Sequence, residues 1–574
     1  MGSFHDLLMA GANDGAFLLC VFFIGYVVLI VVPFLRRKPA PSGDGRAFLW
    51  HFIVPCLDEE AVIATTVQRL VRDFPGCHVW CVDDGSTDGT AAVLAQLRAG
   101  CDKVHVVTRR APDARQGKGQ ALNAGWRELR RWRPLEIDPS EMIVGVVDAD
   151  GHLDPNCLDV ISGPAFFGDP RVGAVQIQVR VLDIAAGAPT NRLARLLVRL
   201  QDVEFAGVIA AMQSLRRHLG SVGMGGNGQF TRLSVLETIT VEHGTPWHGA
   251  LLEDFELGLH VLLVGSRTEY CHDTWVAQEG LPTLPGLIRQ RSRWAQGSMQ
   301  CSRYFRQILR SPHINNAGAL EIGYFLLLPW LQLVGGLVYA FSAAVLVWYA
   351  ATTSGGPGTW VSTEGWGLLP LFLLFGLAPL VVWGPVYRAT AERDMSLGRS
   401  VALGFANWPY SYVHHVATWV AFVRVLRSRD DWLKTAREAS FEGVPAPAVL
   451  TQTPAPAPPA PPEPAQRPAP VPVAVAVAVA GPEAAPPALP SLPSPPPGRA
   501  IPEPTEDDWE QAVVACAPTL RPRAPVADQP GRRRHGRSPS GSERSAARPT
   551  PGNLVTSGGG RSSFGRGRAK QGRR

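Results

Sequence analysis

The stretch HVWCVDDGSTDGT, residues 78–90, decides the fold of this 574-residue chain. It opens with an apolar, β-branched run that predicts a buried strand, and Asp83, Asp84 and Gly85 follow where that strand ends. In open α/β sheets, ligands bind at the carboxyl ends of the strands, so these acids are expected to face a ligand crevice. An Asp/Gly turn that only caps the next helix would use the same residue types, and this stretch alone does not separate the two interpretations.

The pattern of strand followed by helix repeats on both sides of this stretch. Strand-like runs cover residues 48–55, 78–84, 103–108 and 142–150, and helical patterns lie around 59–73, 88–99 and 119–131. Strands that alternate with helices imply parallel pairing through right-handed crossovers. The sequence therefore predicts an α/β nucleotide-binding domain with a mostly parallel sheet. One long amphipathic helical pattern follows at 191–219.

A second acidic pair, in VVDADG (146–151), ends the last of these strands. Alternation along a strand places residues i and i+2 on one face, which predicts that Asp148 and Asp150 point the same way. Two carboxylates that lie close together need a cation or hydrogen-bond donors, and a hard divalent ion bridging carboxylate and phosphate oxygens meets that need. A calcium loop is excluded, because Leu153 and Asp159 stand where that motif has Gly and Glu.

Three later stretches contain residues that could take part in binding or catalysis, but each also has a purely structural interpretation. GMGGNGQF (223–230) is too far along the domain for a dinucleotide fingerprint; it predicts a backbone that closely approaches a bulky ligand or a neighbouring chain, or else a flexible loop. Glu253 and Asp254 open a helical pattern, where the helix dipole alone would favour acids. RQRSRWAQG (289–297) is a basic segment with an aromatic anchor, which is common near a membrane surface.

Charge-free stretches lie on both sides of the α/β domain. They cover residues 16–35, 322–350, 365–387 and 401–423. About 20 apolar residues cross the hydrocarbon core of a bilayer, so the first three predict transmembrane helices. Arg36, Arg37 and Lys38 follow the first span, which predicts a multi-pass protein of the cell membrane with a cytosolic domain at 48–290. The last stretch holds Asn407, Pro409 and two histidines, so it is expected either to span the membrane against its neighbours or to be re-entrant.

Composition separates a folded part from a tail. Residues 531–574 hold twelve basic residues and one acid, whereas the rest of the chain holds 43 basic and 48 acidic residues. The folded part is therefore not a basic nucleic-acid-binding body. Residues 443–574, first Pro-rich and then rich in Arg, Gly and Ser, lack the composition of a packed core and are predicted to be disordered. The nine cysteines include no CxxC pair, which argues against a disulfide scaffold or a zinc module.

Taken in this order, the motifs resemble those of the membrane-integrated family-2 glycosyltransferases, which include cellulose, hyaluronan, chitin and poly-N-acetylglucosamine synthases and monoglucosyldiacylglycerol synthases. VDDGSTDGT is similar to their first acidic motif, DAD (148–150) to their metal motif, and QRSRW (290–294) is a QxxRW. LLED (251–254) stands at the position of their TED motif, with Leu252 in place of Thr, and Asp58 stands where the family has Asn. The resemblance implies a GT-A-type fold flanked by transmembrane helices, with residues 1–15 as an N-terminal segment and 291–317 as interfacial helices.

On the donor side, the resemblance implies a UDP-sugar and a divalent ion, Mg²⁺ or Mn²⁺. Asp83 and Asp84 would lie near the base and ribose, Lys118 near the sugar diphosphate, and Asp148 near the ribose or the metal. Asp150 would bind the metal. Because the diphosphate leaves with concentrated negative charge, cationic groups at this place have a clear physical role.

On the acceptor side, the resemblance implies that Asp254 is the general base. Arg293 and Gln290 would bind the diphosphate and the acceptor together with Trp294, whose ring offers an apolar face to an acceptor sugar. A carboxylate such as Asp254 can take the proton of an attacking alcohol, and a single displacement inverts the anomeric configuration, so an α-linked donor gives a β-linkage.

Three functions remain open at this level. The sequence favours a polysaccharide synthase in the lipid bilayer that transfers glucose or N-acetylglucosamine to a growing polysaccharide. Such an enzyme would pass its product through the membrane helices, and partner subunits for export fit this function. The alternative is a glycolipid synthase that adds one sugar to a lipid such as diacylglycerol. A remote alternative is a non-catalytic membrane scaffold whose basic tail binds anionic lipid or other polyanions.

Overall fold

The computed structural model describes residues 17–18, 21–22, 24–25, 27–182, 191–352, 358–359, 362 and 376–429. The described residues between 17 and 35 are helical, as the first predicted span requires. The predicted N-terminal segment 1–15, the tail 443–574 and nearly all of the first half of the span at 365–387 lie outside the described residues.

A single mixed sheet of eight strands forms the centre of the described part. The strands are β1 Leu49–Cys56, β2 His78–Asp83, β3 Val104–Thr108, β4 Met142–Val146, β5 His152–Leu153, β6 Val172–Leu182, β7 Gln229–Arg232 and β8 Arg267–Glu279. Their order is β3-β2-β1-β4-β7-β6-β8-β5. The four strands predicted from sequence pair in parallel, as do β6 and β8, whereas β4–β7, β6–β7 and β5–β8 are antiparallel. The mostly parallel sheet that the sequence predicts therefore describes the first half of the domain, and the whole sheet is mixed.

Helices cover both faces of this sheet and continue beyond it. In chain order they are α1 Ile63–Asp73, α2 Thr90–Gly100, α3 Lys118–Trp132, α4 Cys157–Ile161, α5 Arg192–Val203, α6 Ala210–Leu219, α7 Leu233–His243, α8 Glu253–Leu263, α9 Leu284–Cys301, α10 Phe305–Arg310, α11 Asn316–Thr352, α12 Ala378–Val381, α13 Trp383–Thr390 and α14 Leu397–Leu426. The helical patterns predicted after β1, β2 and β3 correspond to α1, α2 and α3.

Burial on both faces explains why the central strands are apolar throughout. Phe52 and Val54 of β1 belong to a core cluster on the side of α1 and α2. Ile53, between them, belongs to the cluster on the side of α3, together with Leu122 and Trp126. A strand covered on both faces has no solvated side, so the sequence shows a continuous apolar run rather than alternation with polar residues.

The long helical pattern at 191–219 is one continuous helical segment with a local irregularity. A π-helical turn, Glu204–Ile209, joins α5 to α6. Such turns insert a residue into the helix and occur frequently at functional sites.

Three C-terminal helices pack beside the sheet domain. Helix α9 contacts both α11 and α14. Among the described residues, one stretch, Asn316–Val338 of α11, is long and apolar enough to cross a membrane. Helix α14 continues through Pro409 without a break, and its polar side chains contact neighbours: Asn407 donates to the Leu380 carbonyl at 3.0 Å and Thr418 to Gln332 at 2.8 Å. This arrangement fits a helix that turns its polar residues toward its neighbours.

Candidate active site

One cavity of about 680 Å³ connects the sheet domain to the C-terminal helices. At one end it is lined by residues that follow the carboxyl ends of β2 and β4, including Asp84 and Asp148. At the other end it reaches Leu328 of α11 and His414 of α14. Residues of α8 and α9 also line it, so residues from the acidic motifs and from QRSRW face the same space.

The two residues of the first acidic pair have different surroundings: Asp83 stabilises a turn, and Asp84 faces the cavity. An Asp83 carboxylate oxygen accepts a hydrogen bond from the Ser86 backbone N–H at 2.9 Å, and this residue does not line the cavity. Asp84 lines the cavity and forms a buried ion pair with Arg109. Burial raises the pKa of Asp84, while the Arg109 guanidinium opposes that shift. The turn interpretation therefore applies to Asp83, and Arg109 is a partner that the sequence motifs did not reveal.

Asp58 also serves this turn. Its backbone φ of 50° lies in the left-handed region, which Asp, Asn and Gly tolerate best. Its carboxylate accepts from the Thr87 N–H at 2.6 Å and thereby joins the loop after β1 to the loop after β2.

Lys118 and Asp148 form an ion pair in the cavity wall. The Lys118 ammonium donates to an Asp148 oxygen at 2.6 Å and lies 4.0 Å from a Glu253 oxygen. Burial alone lowers the pKa of Lys118, but the nearby carboxylates of Asp148, Glu253 and Asp254 outweigh burial and raise it. Lys118 therefore remains an ammonium group at neutral pH.

The geometry of the second acidic pair differs from the one that strand alternation predicts. Strand β4 ends at Val146, so Asp148 and Asp150 lie in the following turn, where the Gly151 N–H donates to the Asp148 carbonyl at 2.8 Å. Asp148 lines the cavity, whereas Asp150 is buried and accepts from the Glu279 N–H at 3.1 Å. The prediction that the two share a strand face is wrong, because the strand ends at Val146, before either acid.

The donor chemistry of this turn still fits a hard divalent cation. Within the described ranges, no group of three His, Cys, Asp or Glu side chains is arranged to hold a metal ion. The protein would therefore supply one or two carboxylates, from Asp148 and Asp150. Mg²⁺ is commonly bound in this way, with substrate phosphates and water completing its coordination.

Asp254 is the second residue of α8 and lines the cavity. Burial and the adjacent Glu253 raise the pKa of its carboxyl group to about 7, against the opposing effects of Lys118, the Phe255 N–H and Arg293. A carboxyl group with a pKa near the working pH is suited to accept a proton.

The glycine-rich loop closes over this carboxyl group. Gly226 has a φ of 79°, and a Cβ placed there would lie 2.7 Å from an Asp254 oxygen and 3.4 Å from the Lys118 nitrogen. The close approach that the sequence predicts is therefore an approach to Asp254 and Lys118. Asn227, next in the loop, accepts from the Asp148 N–H at 3.2 Å and so fixes the acidic turn.

The QRSRW segment lies in α9 and brings Gln290, Arg293 and Trp294 to the cavity. The Trp294 ring meets the Phe205 ring edge-on, with centroids 6.0 Å apart. Arg291, which the motif does not mark, places its guanidinium carbon 4.0 Å from the centre of the Trp294 ring. The structure thus brings every predicted site residue except Asp83 and Asp150 to the cavity wall.

A mixed α/β sheet with acidic turns, a lysine and a perturbed carboxyl group around one cavity agrees with the GT-A-type fold that the sequence motifs imply. Residues 50–297 match the family described as glycosyltransferase like family 2, and they form a glycosyltransferase domain of that family.

The curated relatives of this chain include two kinds of glycosyltransferase. β-Monoglucosyldiacylglycerol synthase from Synechocystis sp. is 32% identical over 52% of this chain and 58% of its own length. The Nostoc sp. enzyme of the same name is 31% identical over 43% of this chain and 48% of its own length. Poly-β-1,6-N-acetyl-D-glucosamine synthase from Staphylococcus aureus is 25% identical over 46% of this chain and 57% of its own length. The chain thus spans about half the length of the curated relatives it matches.

Among solved structures, the mannosyltransferase PcManGT from Pyrobaculum calidifontis, in complex with GDP-Man and Mn²⁺, is similar at 18% identity. The match covers 71% of this chain and 98% of that chain, with a TM-score of 0.43.

Proposed function

We propose that this protein is an inverting, membrane-bound glycosyltransferase that moves a hexose from a UDP-sugar to the hydroxyl group of a lipid acceptor. One observation carries the proposal. A single cavity is lined by Lys118, Asp148 and Asp254, by Trp294, and by side chains of the apolar helix α11. Donor, base and membrane-side acceptor would therefore meet in one space.

On the donor side, Lys118 would contact the diphosphate and Asp148 would hold a divalent cation at the cavity wall, with Asp150, outside the cavity lining, as the second carboxylate of the same turn. That cation, when bound, neutralises charge that develops on the leaving diphosphate. Arg293 adds a second fixed positive charge near the same oxygens. Groups held in place before the reaction stabilise developing charge without the cost of reorganisation.

On the acceptor side, Asp254 would accept the proton of the attacking hydroxyl group. The attack occurs opposite to the departing diphosphate, so one displacement inverts the anomeric carbon and an α-linked UDP-sugar gives a β-glycoside. Trp294 and Gln290 would orient the acceptor, and Gly226, which has no side chain, leaves room next to the Asp254 carboxylate.

The membrane end of the cavity favours a lipid acceptor. Its apolar lining includes Phe325, Leu328 and Pro329 of α11, Val208 of the π-helical turn and Met212 of α6. The exposed face of α11, with Leu320, Leu331 and Val334 among its residues, is apolar and suits contact with acyl chains. Glucose and diacylglycerol are the substrates to test first, because β-monoglucosyldiacylglycerol synthases are 30–32% identical to this chain.

A growing polysaccharide is the second candidate, and polar lining supports it. Gln332, His414 and Thr418 also line the membrane end of the cavity, and Thr418 donates to Gln332 at 2.8 Å. Such groups would suit a sugar chain that leaves through the C-terminal helices. The similarity to poly-β-1,6-N-acetyl-D-glucosamine synthases, 25% identical, agrees with this candidate.

The test uses the full chain in lipid nanodiscs that contain 1,2-dioleoylglycerol and Mg²⁺. UDP-glucose and UDP-N-acetylglucosamine are offered separately, UDP release is followed, and products are separated into lipid extract and polymer. We expect a lipid that carries one β-linked sugar. A polymer that a β-specific hydrolase digests would show that the acceptor is a polysaccharide. If neither UDP-glucose nor UDP-N-acetylglucosamine releases UDP, the proposed function is overturned.

A matched control separates binding from chemistry. The Asp254→Asn variant is expected to bind UDP with wild-type affinity in calorimetry and to form no product. Turnover retained in this variant would show that Asp254 is not the base.

A further inference from the structure

A buried ionic cluster forms part of the cavity wall next to Trp294. The Glu204 carboxylate, at the start of the π-helical turn, accepts from Arg291 at 2.8 Å and from the Tyr410 hydroxyl at 2.6 Å. His414 lies 3.6 Å from its other oxygen. The Arg291 and Glu204 side chains are only 2% and 9% exposed. Three separate elements, the π-helical turn, α9 and α14, therefore meet at one carboxylate.

This cluster supports the aromatic ring that lines the cavity. The guanidinium carbon of Arg291 lies 4.0 Å from the centre of the Trp294 ring, which is the geometry of a cation–π contact. Phe205, the residue after Glu204, meets the same ring edge-on. The same Arg291 guanidinium donates to the Gln290 side chain at 2.5 Å. Both acceptor-side residues of the QRSRW segment thus depend on where Arg291 lies.

We propose that Glu204 is a positioning residue for the acceptor. It holds the Arg291 guanidinium against the Trp294 ring and, through the Tyr410 hydroxyl, connects Arg291 and Trp294 to helix α14. The inference rests on the proposed function, in which Trp294 and Gln290 orient the acceptor. The proposal also gives the π-helical turn a role. Two adjacent residues of this turn support the Trp294 ring: Phe205 contacts it directly, and Glu204 holds Arg291 against it. Acceptor orientation then responds to the position of a C-terminal helix.

A second buried cluster on the same helical segment provides a natural control. Asp202 accepts from Arg180 at 2.9 Å and from the Tyr387 hydroxyl at 2.5 Å. It resembles the Glu204 cluster in burial, in its arginine and in its tyrosine from a C-terminal helix. The contacts of Asp202 are made with β6 and α13, and those of Glu204 with α9, which carries Trp294. A loss of stability common to both clusters can therefore be separated from an effect on the acceptor.

The experiment compares Tyr410→Phe with Tyr387→Phe, each of which removes one hydroxyl group and keeps the ring. Glu204→Gln is the stronger variant of the same series. All are assayed as full-length protein in nanodiscs with UDP-glucose and 1,2-dioleoylglycerol, or with the growing polymer if wild type makes one. Four quantities are measured: the KM for acceptor, kcat, the affinity for UDP in calorimetry, and the melting temperature.

We expect Glu204→Gln to raise the acceptor KM about tenfold or more, because small displacements of an orienting group are costly. Tyr410→Phe is expected to raise it severalfold, and Tyr387→Phe to leave it within twofold. UDP affinity is expected to remain within twofold in all three. A purely structural role would lower stability in the Tyr410 and Tyr387 variants alike and would move no acceptor KM selectively.

The outcomes separate this inference from the proposed function. If wild type transfers sugar and Tyr410→Phe has the same acceptor KM as Tyr387→Phe, the positioning role of Glu204 is wrong. Equal rises in the KM for acceptor and in the Kd for UDP would also overturn it, because they would indicate a general disturbance of the site. If wild type transfers no sugar, the proposed function itself fails.

Discussion

The ammonium group of Lys118 lies 2.6 Å from an Asp148 oxygen, and both side chains line the cavity that reaches the C-terminal helices. Lys118 is the first residue of α3, and Asp148 lies in the turn after β4, so the pair joins two loops at the same edge of the sheet. Because neighbouring carboxylates raise the pKa of Lys118, the charge persists well above neutral pH. A fixed cation at this place is what a departing diphosphate requires.

Replacing Lys118 by Met is expected to weaken UDP binding at least tenfold and to lower kcat/KM by about 100-fold, the typical cost of removing one group that stabilises developing charge. Calorimetry with UDP and Mg²⁺ measures the first effect and initial rates measure the second. Lys103→Met is the control, since Lys103 is half-buried outside the cavity lining and donates to the Pro75 carbonyl at 2.5 Å. Equal UDP affinity in Lys118→Met and wild type would remove Lys118 from the donor site.

Gly226→Ala is expected to abolish most activity. The residue has a φ of 79°, and its new Cβ would lie 2.7 Å from an Asp254 oxygen, so the loop or the base must move. The backbone conformation alone costs about 1–3 kcal/mol for a residue with a side chain. Gly249→Ala is the matched control, because nothing lies within 4 Å of its added Cβ. A Gly226→Ala enzyme with wild-type kcat would show that the Asp254 carboxylate tolerates displacement.

The buried pair of Asp84 and Arg109 predicts a change in stability as well as in function. Their side chains are 5% and 8% exposed, so Asp84→Asn leaves the Arg109 charge buried with its carboxylate partner removed. Breaking a buried ion pair from one side costs about 3–5 kcal/mol. Thermal unfolding in detergent measures the loss, with Glu128→Gln as the control from an exposed i,i+3 pair with Arg131. Equal melting temperatures of the two variants would contradict a structural role for Asp84.

The regular part of this fold could be predicted from sequence because its signals are local. Four strands and three helices of the first half follow from apolar runs and helical periodicity, and the motifs fall at the strand ends that the α/β architecture requires. Strands β5 to β8 are not among the strands that the sequence predicts, and the antiparallel strand β7 shows why. It directly follows the glycine-rich loop, and its pairing with β4 and β6 depends on contacts distant in sequence.

The parts of the site that sequence did not reveal depend on tertiary contacts between polar residues. Arg109 and Arg291 look like ordinary basic residues in the sequence, and only folding places them against Asp84 and Trp294. Glu204 lies in an amphipathic pattern whose signal does not mark a π-helical turn. The sequence shows that Glu204 is an acidic residue in a helical pattern, but this does not identify Arg291 and Tyr410 as its partners.

The pH dependence of turnover is expected to report on Asp254. Burial and Glu253 raise the pKa of this carboxyl group to about 7, and only the ionised form accepts a proton. The rate should therefore fall about tenfold for each pH unit below 7 and level off above it. Removing the Glu253 charge by Glu253→Gln lowers the pKa of Asp254, so the acidic limb should move to lower pH while its slope stays the same. Initial rates at saturating donor and acceptor between pH 5 and 9 measure both profiles. An acidic limb that stays in place in Glu253→Gln, or moves to higher pH, would show that another group controls turnover.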